Sequence, residues 1–202
     1  MVSDRPRTLL QRAEYEGEPI KGSRFIVLAG PVESESAAQD LLAQARALRP
    51  DAGHHCSAWR LSVPAIDRAN DDGEPGGSAG RPMLAQLTGL NLVNVAAIVS
   101  RYWGGTKLGV GGLMRAYGGA VGAALGDAPT VPWRLLTEVT FDHGYPEADL
   151  VERLVAHHGG RLVNSNFGAR VVRVVSVAAE DVPALEAALG DASSGRITFD
   201  RK

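Results

Sequence analysis

Apolar residues in the first half of the chain change repeatedly between the period of a helix and the period of a strand. The stretch "ESESAAQDLLAQARALRP" predicts an amphipathic helix. Its apolar residues recur at helical spacing, at Ala37, Leu41, Ala45 and Leu48. Ser36 and Gln39 have the spacing of an N-terminal capping box, and Pro50 predicts the end of the helix.

Five further segments continue this alternation. "SRFIVLAG", "HHCSAWRLSV" and "NLVNVAAIVS" predict strands, whereas "RPMLAQLTGL" and "GGLMRAYGGAVGAAL" predict helices. The last of these helices contains several glycines, which lower helix stability by roughly 1 kcal/mol each and indicate close packing on a sheet. The alternation predicts an α+β or α/β sandwich with its helices on one face of the sheet.

The segment "GDAPTVPW" interrupts the pattern with one glycine and two prolines, and it predicts a domain boundary. We expect an N-terminal domain over residues 1–128 and a C-terminal domain over residues 129–202. In the second domain the segments "RLLTEVTFD", "YPEADLVERLVAHHGG", "RLVNSNF", "ARVVRVVSVA", "DVPALEAALG" and "GRITFD" predict the order β-α-β-β-α-β. That order is typical of a ferredoxin-like domain.

The composition limits the classes of partner. The net charge is −2 and aromatic residues make up 5% of the chain, so nucleic-acid contact would need a local basic patch. Cys56 is the single cysteine, which excludes an intrachain disulfide. The start "MVSDRPRTLLQ" lacks the apolar core of a signal peptide, and no apolar run approaches the ~20 residues that cross a bilayer. We therefore expect a cytoplasmic protein without a membrane partner.

The stretch "DDGEPGGSAGRPML", residues 71–84, places acids and glycines immediately before a predicted helix. Its notable residues are Asp71, Asp72, Glu74 and Ser78. Backbone N–H groups at a helix N-terminus bind anions, and glycines let a ligand approach the backbone closely. Taken alone, the stretch is more typical of a capped turn. Ser78 is a weak candidate nucleophile, because no base can be assigned to it.

A second glycine-rich stretch, "SRYWGGTKLGVGGLMRAYGG" at residues 100–119, also follows a predicted buried strand and opens a helix. Lys107 lies among the glycines, after Gly104 and Gly105, and between Arg101 and Arg115. The G-x-x-x-x-G-K-[ST] spacing of a P-loop is absent, so nucleotide hydrolysis by that route is not supported. A glycine loop with one lysine at a helix start still suits phosphate or another small anion.

Cations and acids would face one another if these two loops converge. The cations include Arg24, Arg101, Lys107 and Arg115, and the acids are Asp71, Asp72 and Glu74. In one interpretation the acids form ion pairs with the arginines and cap backbone groups, and so determine only the fold. In another, the acids bind a divalent cation or act as acid and base while the cations hold phosphate. The sequence leaves both open.

The tripeptide "HHC" places His54 and Cys56 on one face of a predicted strand. A zinc site needs further ligands, and no second cluster of cysteine and histidine has metal-ligand spacing. We therefore predict no metal here. His54 remains a candidate site residue, because it lies on a sheet face near the acidic stretch.

Four segments together carry a resemblance to a known family. "IKGSRFIV", "HHCSAWR", "DDGEPGGSAGRPML" and "VSRYWGGTKLGVGGLMRAYGGA" resemble the signature segments of the IMPACT/YigZ family, in their order and spacing. The resemblance implies an N-terminal left-handed β-α-β domain like a small-subunit ribosomal protein domain, followed by a ferredoxin-like domain. Trp103 stands where the family usually has phenylalanine, and Ser78 replaces a common threonine.

The resemblance also bears on function, because eukaryotic members of the family act in translational control. The leading hypothesis is a regulator of translation or stress response that binds RNA, the ribosome or a translation-associated protein. The alternative is an enzyme or a binder of nucleotides or sugar phosphates that uses the two glycine-rich loops. No cofactor is predicted. The candidate site residues are Arg24, His54, Asp71, Asp72, Glu74, Ser78, Arg101, Gly104, Gly105, Lys107 and Arg115.

Overall fold

The structure is a computed structural model that describes residues 5–200. Residues 1–4 and 201–202 lie outside the described range. Residues 1–4 begin the stretch "MVSDRPRTLLQ", for which no signal peptide was predicted, and residues 201–202 end the predicted second domain. The chain forms two compact units, Met1–Trp133 and Arg134–Lys202, which divide at the end of the segment "GDAPTVPW". Among the described residues, no helix is both long and apolar enough to cross a membrane.

The N-terminal unit is built on a five-stranded antiparallel sheet with the order β2-β3-β6-β4-β5. Its elements are β1 (Arg7–Leu9), β2 (Ala13–Glu16), β3 (Arg24–Pro31), α1 (Glu35–Leu48), β4 (His54–Ser62), β5 (Ala65–Asn70), α2 (Gly80–Gly89), β6 (Val95–Tyr102), α3 (Val110–Gly126) and β7 (Thr130–Pro132). Strands β3 and β4 both pair with β6 in antiparallel orientation, so they run parallel to each other. Helix α1 therefore connects two parallel strands that lie on either side of β6.

Helices cover both faces of this sheet, so the prediction of helices on one face is wrong for the N-terminal unit. Strand β3 shows the division, because its side chains alternate between the faces. Val27 and Ala29 lie in the core with α2 and α3, whereas Leu28 lies in a second core with Ala38 and Leu41 of α1. Strands buried on both faces are continuously apolar, as observed for Val95–Val99.

Helix α1 begins two residues earlier than its capping-box pattern predicts. Ser34, not Ser36, is the N-cap, and its hydroxyl oxygen accepts a hydrogen bond from the Ala37 backbone N–H at 3.1 Å. The helix ends at Leu48, before Pro50 as predicted. Ser36, the predicted N-cap, instead lies in the first turn of the helix.

Four short strands were not predicted from the sequence: β1, β2, β5 and β7. Strands β2 and β5 are the edges of the sheet, and most of their residues are exposed or half-buried, so they lack a strong apolar alternation. Strand β7 pairs with β1 from Arg7↔Pro132 to Leu9↔Thr130. That pairing joins residues 130–132 to the N-terminal unit.

The C-terminal unit contains β8 (Leu136–His143), α4 (Ala148–His157), β9 (Arg161–Phe167), β10 (Val171–Ala178) and α5 (Val182–Ala192). The strand order is β8-β10-β9. The predicted last strand, "GRITFD", forms only a single antiparallel bridge, between Phe199 and Phe141. This bridge still places Phe199 beside β8, which agrees with a ferredoxin-like domain. Its core contains Phe141, Val175, Leu185 and Leu189.

Candidate functional site

A buried ion pair joins the two glycine-rich stretches. The Arg101 guanidinium, at the end of β6, donates from Nη1 to Oε1 of Glu74 at 2.6 Å. The Tyr117 hydroxyl, on α3, donates to the same oxygen at 2.7 Å. Burial, followed by the nearby Cys56, raises the pKa of Tyr117 far above its usual range, so this hydroxyl stays protonated and donates. The two predicted loops therefore converge at Glu74.

The backbone of the second stretch lies directly against the turn before β3. Ser23 Oγ accepts hydrogen bonds from Arg101 Nη2 at 3.3 Å and from the Gly104 N–H at 3.2 Å. A β-carbon on Gly104 would lie 1.9 Å from the carbonyl carbon of Gly22. Only glycine permits this approach of two backbones, and it fixes the start of the basic loop, residues 103–109.

Asp71 organises the acidic loop, residues 71–79, from within. Its carboxylate accepts hydrogen bonds from the backbone N–H groups of Gly77, Ala79 and Gly80, at 2.7, 2.9 and 2.8 Å. Burial raises the pKa of Asp71, but these three N–H donors together outweigh it and lower the pKa below its usual value. Asp71 thereby occupies the N-terminus of α2, which otherwise has no side-chain cap.

Asp72 ties the acidic loop to the sheet. Its Oδ2 accepts a hydrogen bond from the His55 backbone N–H at 2.6 Å, and its Oδ1 accepts one from Arg46 Nη2 at 3.0 Å. The His54 ring donates from Nδ1 to the Asp72 carbonyl oxygen at 2.7 Å. Asp72 itself has a left-handed backbone, with φ +44°. His54 and Asp72 thus hold the conformation of the loop.

Cys56 and Ser78 are enclosed beneath these acids. The Cys56 thiol donates to the Asp71 carbonyl oxygen at 3.0 Å, and burial raises its pKa to about 12. Ser78 is fully buried, and its hydroxyl has no hydrogen-bond partner among the described residues. Neither side chain is accessible as a nucleophile. Over residues 5–200, no group of three His, Cys, Asp or Glu side chains is arranged to hold a metal ion.

An open groove lies between the acidic loop and the basic loop. Its volume is about 340 Å³, and both loops and the first turn of α3 line it. Glu74 and Arg101 lie at its buried side, while Trp103, Lys107 and Val110 are exposed. The Trp103 side chain is 66% exposed, which is unusual for the largest aromatic residue. We call this feature the loop groove.

Of the predicted site residues, Glu74, Arg101 and Lys107 line the loop groove. Arg24 and Arg115 have other surroundings. Arg24 pairs with Glu16 at 2.6 Å on the exposed surface and lies over the Tyr102 ring. Arg115 lines a different, smaller cavity, of about 150 Å³. Gly105 is an exposed residue of the basic loop, and its φ of +84° favours glycine.

Three residues of the site were missed by the sequence analysis: Ser23, Arg46 and Tyr117. Tyr117 carries the clearest signal, because it lies four residues after Leu113 on the apolar face of α3. A tyrosine on a buried helix face needs a partner for its hydroxyl, and an acid on a facing loop supplies one. Ser23 lies in the predicted strand segment "SRFIVLAG" and Arg46 in the predicted first helix, and neither position carries a signal of its own that points to the acidic or basic stretch.

Comparisons with known proteins add family relationships. A family model described as the Impact N-terminal domain matches residues 21–125, and a domain of unknown function, DUF1949, matches residues 142–196. The chain is 40% identical over 183 residues to the IMPACT family member YigZ of Escherichia coli (strain K12), covering 89% of this chain and 90% of that protein. It is 36% identical over 96 residues to the Protein IMPACT homolog of Saccharomyces cerevisiae, covering 44% of this chain and 36% of that protein.

A solved structure described as the crystal structure of an hypothetical protein is similar to this chain over almost its whole length. It is 37% identical in sequence and superposes with a TM-score of 0.69. The alignment covers 96% of this chain and 95% of that chain.

Proposed function

The chain belongs to the IMPACT family, and we propose that it is a binding protein in translational control or stress response that engages a translation-associated protein through the loop groove. Translational control is the role that the family resemblance implies for eukaryotic members. A partner of this kind is expected in the cytoplasm.

One observation carries the proposal: the acids of the acidic loop are used inside the protein, whereas the basic loop offers exposed groups. Asp71 accepts three backbone hydrogen bonds, and Glu74 accepts one from Arg101 and one from Tyr117. A carboxylate held this way is a poor general base, because its lone pairs already accept strong hydrogen bonds. This favours the interpretation of the acids as determinants of the fold.

The exposed part of the loop groove, together with the neighbouring face of α3, has the composition of a protein-binding surface. Trp103 is 66% exposed and Val110 is 53% exposed. Met114, which is 42% exposed, follows Val110 by one helical turn, so the two share a face of α3. Exposed tryptophan and methionine are enriched at protein interfaces, where tryptophan often dominates the binding energy.

The charges favour protein over RNA as the partner. RNA binding by electrostatics needs several cations along one face, and the net charge of the chain is −2. Among the residues that line the loop groove, Lys107 is the exposed cation, while Arg101 is buried against Glu74. A single exposed lysine suits recognition of one acidic side chain at the rim of an interface.

Co-sedimentation with purified ribosomes and with a translation-factor fraction tests the proposal. We expect Trp103→Ala and Lys107→Ala to reduce retention of an identified ribosomal protein or factor by about tenfold or more, without changing the melting temperature. Leu48→Ala is the matched control, because Leu48 is 62% exposed at the end of α1. Arg101 is unsuitable for this test, since its replacement would disrupt the fold.

Two results would oppose this function. If the Trp103→Ala and Leu48→Ala variants are retained equally, any contact with the ribosome does not involve the loop groove. Retention that disappears with nuclease treatment and falls steeply with salt would replace the protein partner by RNA.

A specific observation supports a small anion as a second candidate. Arg101 Nε is buried and has no hydrogen-bond partner among the described residues, and Arg101 lines the loop groove. Helix α3 begins after Gly109, and its N-terminus has no side-chain cap.

A thermal-shift screen of inorganic phosphate, nucleotides and sugar phosphates tests this candidate. A ligand at a hundredfold excess over its Kd would stabilise the protein by about 2.7 kcal/mol.

A further inference from the structure

A cavity in the C-terminal unit lies between α4 and the strands β9 and β10. Its volume is about 370 Å³, within the range of roughly 300–1,000 Å³ of small-molecule sites. Its walls are mainly aliphatic, and they include Val151, Val155, Ala156, Leu162 and Val175. Leu162 is 44% exposed although it lines this cavity, so the aliphatic wall is incompletely covered by the protein itself.

Arg173 places a buried positive charge at this cavity. Its side chain is 6% exposed, and Arg173 is one of the lining residues. Nε donates to His143 Nε2 at 3.2 Å, and Nη1 donates to Ser165 Oγ at 2.6 Å. These two bonds fix the plane of the guanidinium from the protein side.

Neither of these two partners neutralises the charge. His143 is fully buried, and its Nδ1 donates to the Gly144 carbonyl oxygen at 2.7 Å. Because Nε2 accepts a hydrogen bond from Arg173, the His143 ring is neutral with its proton on Nδ1. Ser165 is also neutral. The charge of Arg173 is met by Glu152, whose Oε1 lies 3.2 Å from Nη2 and whose side chain is 64% exposed.

The balance of charges at the cavity is therefore positive. Its ionisable lining residues are Arg161, Arg173 and Glu152, which give two cations and one carboxylate. A guanidinium has five N–H donors, and the bonds to His143, Ser165 and Glu152 use three of them. One N–H on Nη1 and one on Nη2 remain beyond these bonds. N–H donors on the two terminal nitrogens of one guanidinium can bind the two oxygens of a carboxylate.

From this arrangement we propose that the cavity binds a small carboxylate with an aliphatic tail, with the carboxylate on Arg173 and the tail against Val155, Leu162 and Val175. The aliphatic walls supply the hydrophobic contribution, while the buried guanidinium selects an anion and sets its orientation. Glu152 is the internal competitor, because its carboxylate lies at Nη2 and partly neutralises the charge that would attract a ligand carboxylate. This site is separate from the loop groove and does not depend on its function.

Methyl NMR of the full-length protein tests the site, with 4-methylpentanoate, leucine and the neutral isostere 4-methylpentanamide as probes. We expect saturable shifts at the methyl groups of Val155 and Val175 with a carboxylate, and at least about tenfold weaker binding of the amide. Leucine carries an additional ammonium group. Saturation by 4-methylpentanoate alone assigns a simple carboxylate, and tighter binding of leucine assigns an amino acid whose ammonium meets Glu152.

Three variants make the test specific. Glu152→Gln removes the competing carboxylate and is expected to strengthen 4-methylpentanoate binding several-fold. Ala156→Trp fills the cavity from an exposed position of α4 and is expected to abolish the saturable shifts. Arg153→Trp is its matched control, since Arg153 is exposed on the same helix and is absent from the lining. This variant should bind as the parent protein does.

The proposal is overturned by any of three results: equal affinity for amide and carboxylate, undiminished binding in Ala156→Trp, or no saturable shift with either carboxylate. Changes of melting temperature in these variants do not enter the comparison, because the binding shifts are measured on the folded protein in each case.

Discussion

Arg101 and Glu74 form an ion pair that is almost completely withdrawn from water, with Nη1 and Oε1 2.6 Å apart and side-chain exposures of 7% and 3%. Residues 27 positions apart in sequence thus join the end of β6 to the acidic loop. Tyr117 adds a third element, α3, by donating to the same carboxylate oxygen.

Glu74→Gln is expected to destabilise the protein by about 3–5 kcal/mol, because it leaves the buried Arg101 charge without an anion. Tyr117→Phe should cost about 1–3 kcal/mol through loss of one buried hydrogen bond. Chemical denaturation measures both. Glu14→Gln is the control, since Glu14 is 60% exposed in its pair with Arg49 and should contribute less than about 1 kcal/mol. Equal effects at Glu74 and Glu14 would contradict a structural role for the buried pair.

Gly104→Ala is expected to destabilise the protein by about 3 kcal/mol or more, because its β-carbon would overlap the backbone of Gly22 and Ser23. Gly119→Ala, in the middle of α3, is the matched control. A β-carbon there meets no atom within 4 Å, so this change should raise stability by about 0.5–1 kcal/mol. Opposite shifts of the denaturation midpoint are expected, and a Gly104→Ala protein as stable as its parent would refute the close approach.

Asp71→Asn is expected to weaken the acid dependence of stability. The folded pKa of Asp71 lies below its unfolded value, since three backbone N–H donors outweigh the effect of burial. Its contribution is therefore present above the unfolded pKa of about 3.9 and is lost as the pH falls from there through the lower folded pKa. At pH 7 the variant should be less stable by about 1–3 kcal/mol.

Urea denaturation between pH 7 and pH 3 checks this prediction. The difference between the parent protein and Asp71→Asn should shrink as the pH falls. Asp127→Asn, at the exposed C-cap of α3, provides the comparison and should change the free energy of unfolding at pH 7 by less than about 0.5 kcal/mol. A constant difference over the whole range would show that the Asp71 carboxylate is not the titrating group.

Cys56 is expected to resist alkylation in the native protein at neutral pH. Its side chain is fully buried, and its pKa of about 12 leaves almost no thiolate at pH 7. Labelling with iodoacetamide should be slow in buffer and should increase along the urea unfolding transition, which mass spectrometry follows. Rapid, stoichiometric labelling of the native protein would indicate that the core beneath the acidic loop opens readily.

Periodicity alone predicted the well-buried elements, because helix α1 and strands β3, β4 and β6 carry apolar residues in patterns that few other structures satisfy. The edge strands β2 and β5 were missed because they lack such a pattern. They bury little surface, so their sequences are free to be polar. The predicted last strand, "GRITFD", forms one bridge at Phe199, because an apolar alternation does not determine how many residues of a strand pair with its neighbour.

Sequence also identified two glycine-rich stretches, one acidic and one basic, that each precede a helix, but it left open whether they meet. Only the tertiary structure decided what their side chains do. Asp71 faces backbone N–H groups, Glu74 meets Arg101, and Arg24 lies elsewhere with Glu16. Local patterns record burial and backbone conformation, which depend on neighbours in sequence. Hydrogen-bond partners depend on which loops the sheet brings within about 3 Å of each other, and that is fixed only when the whole domain packs.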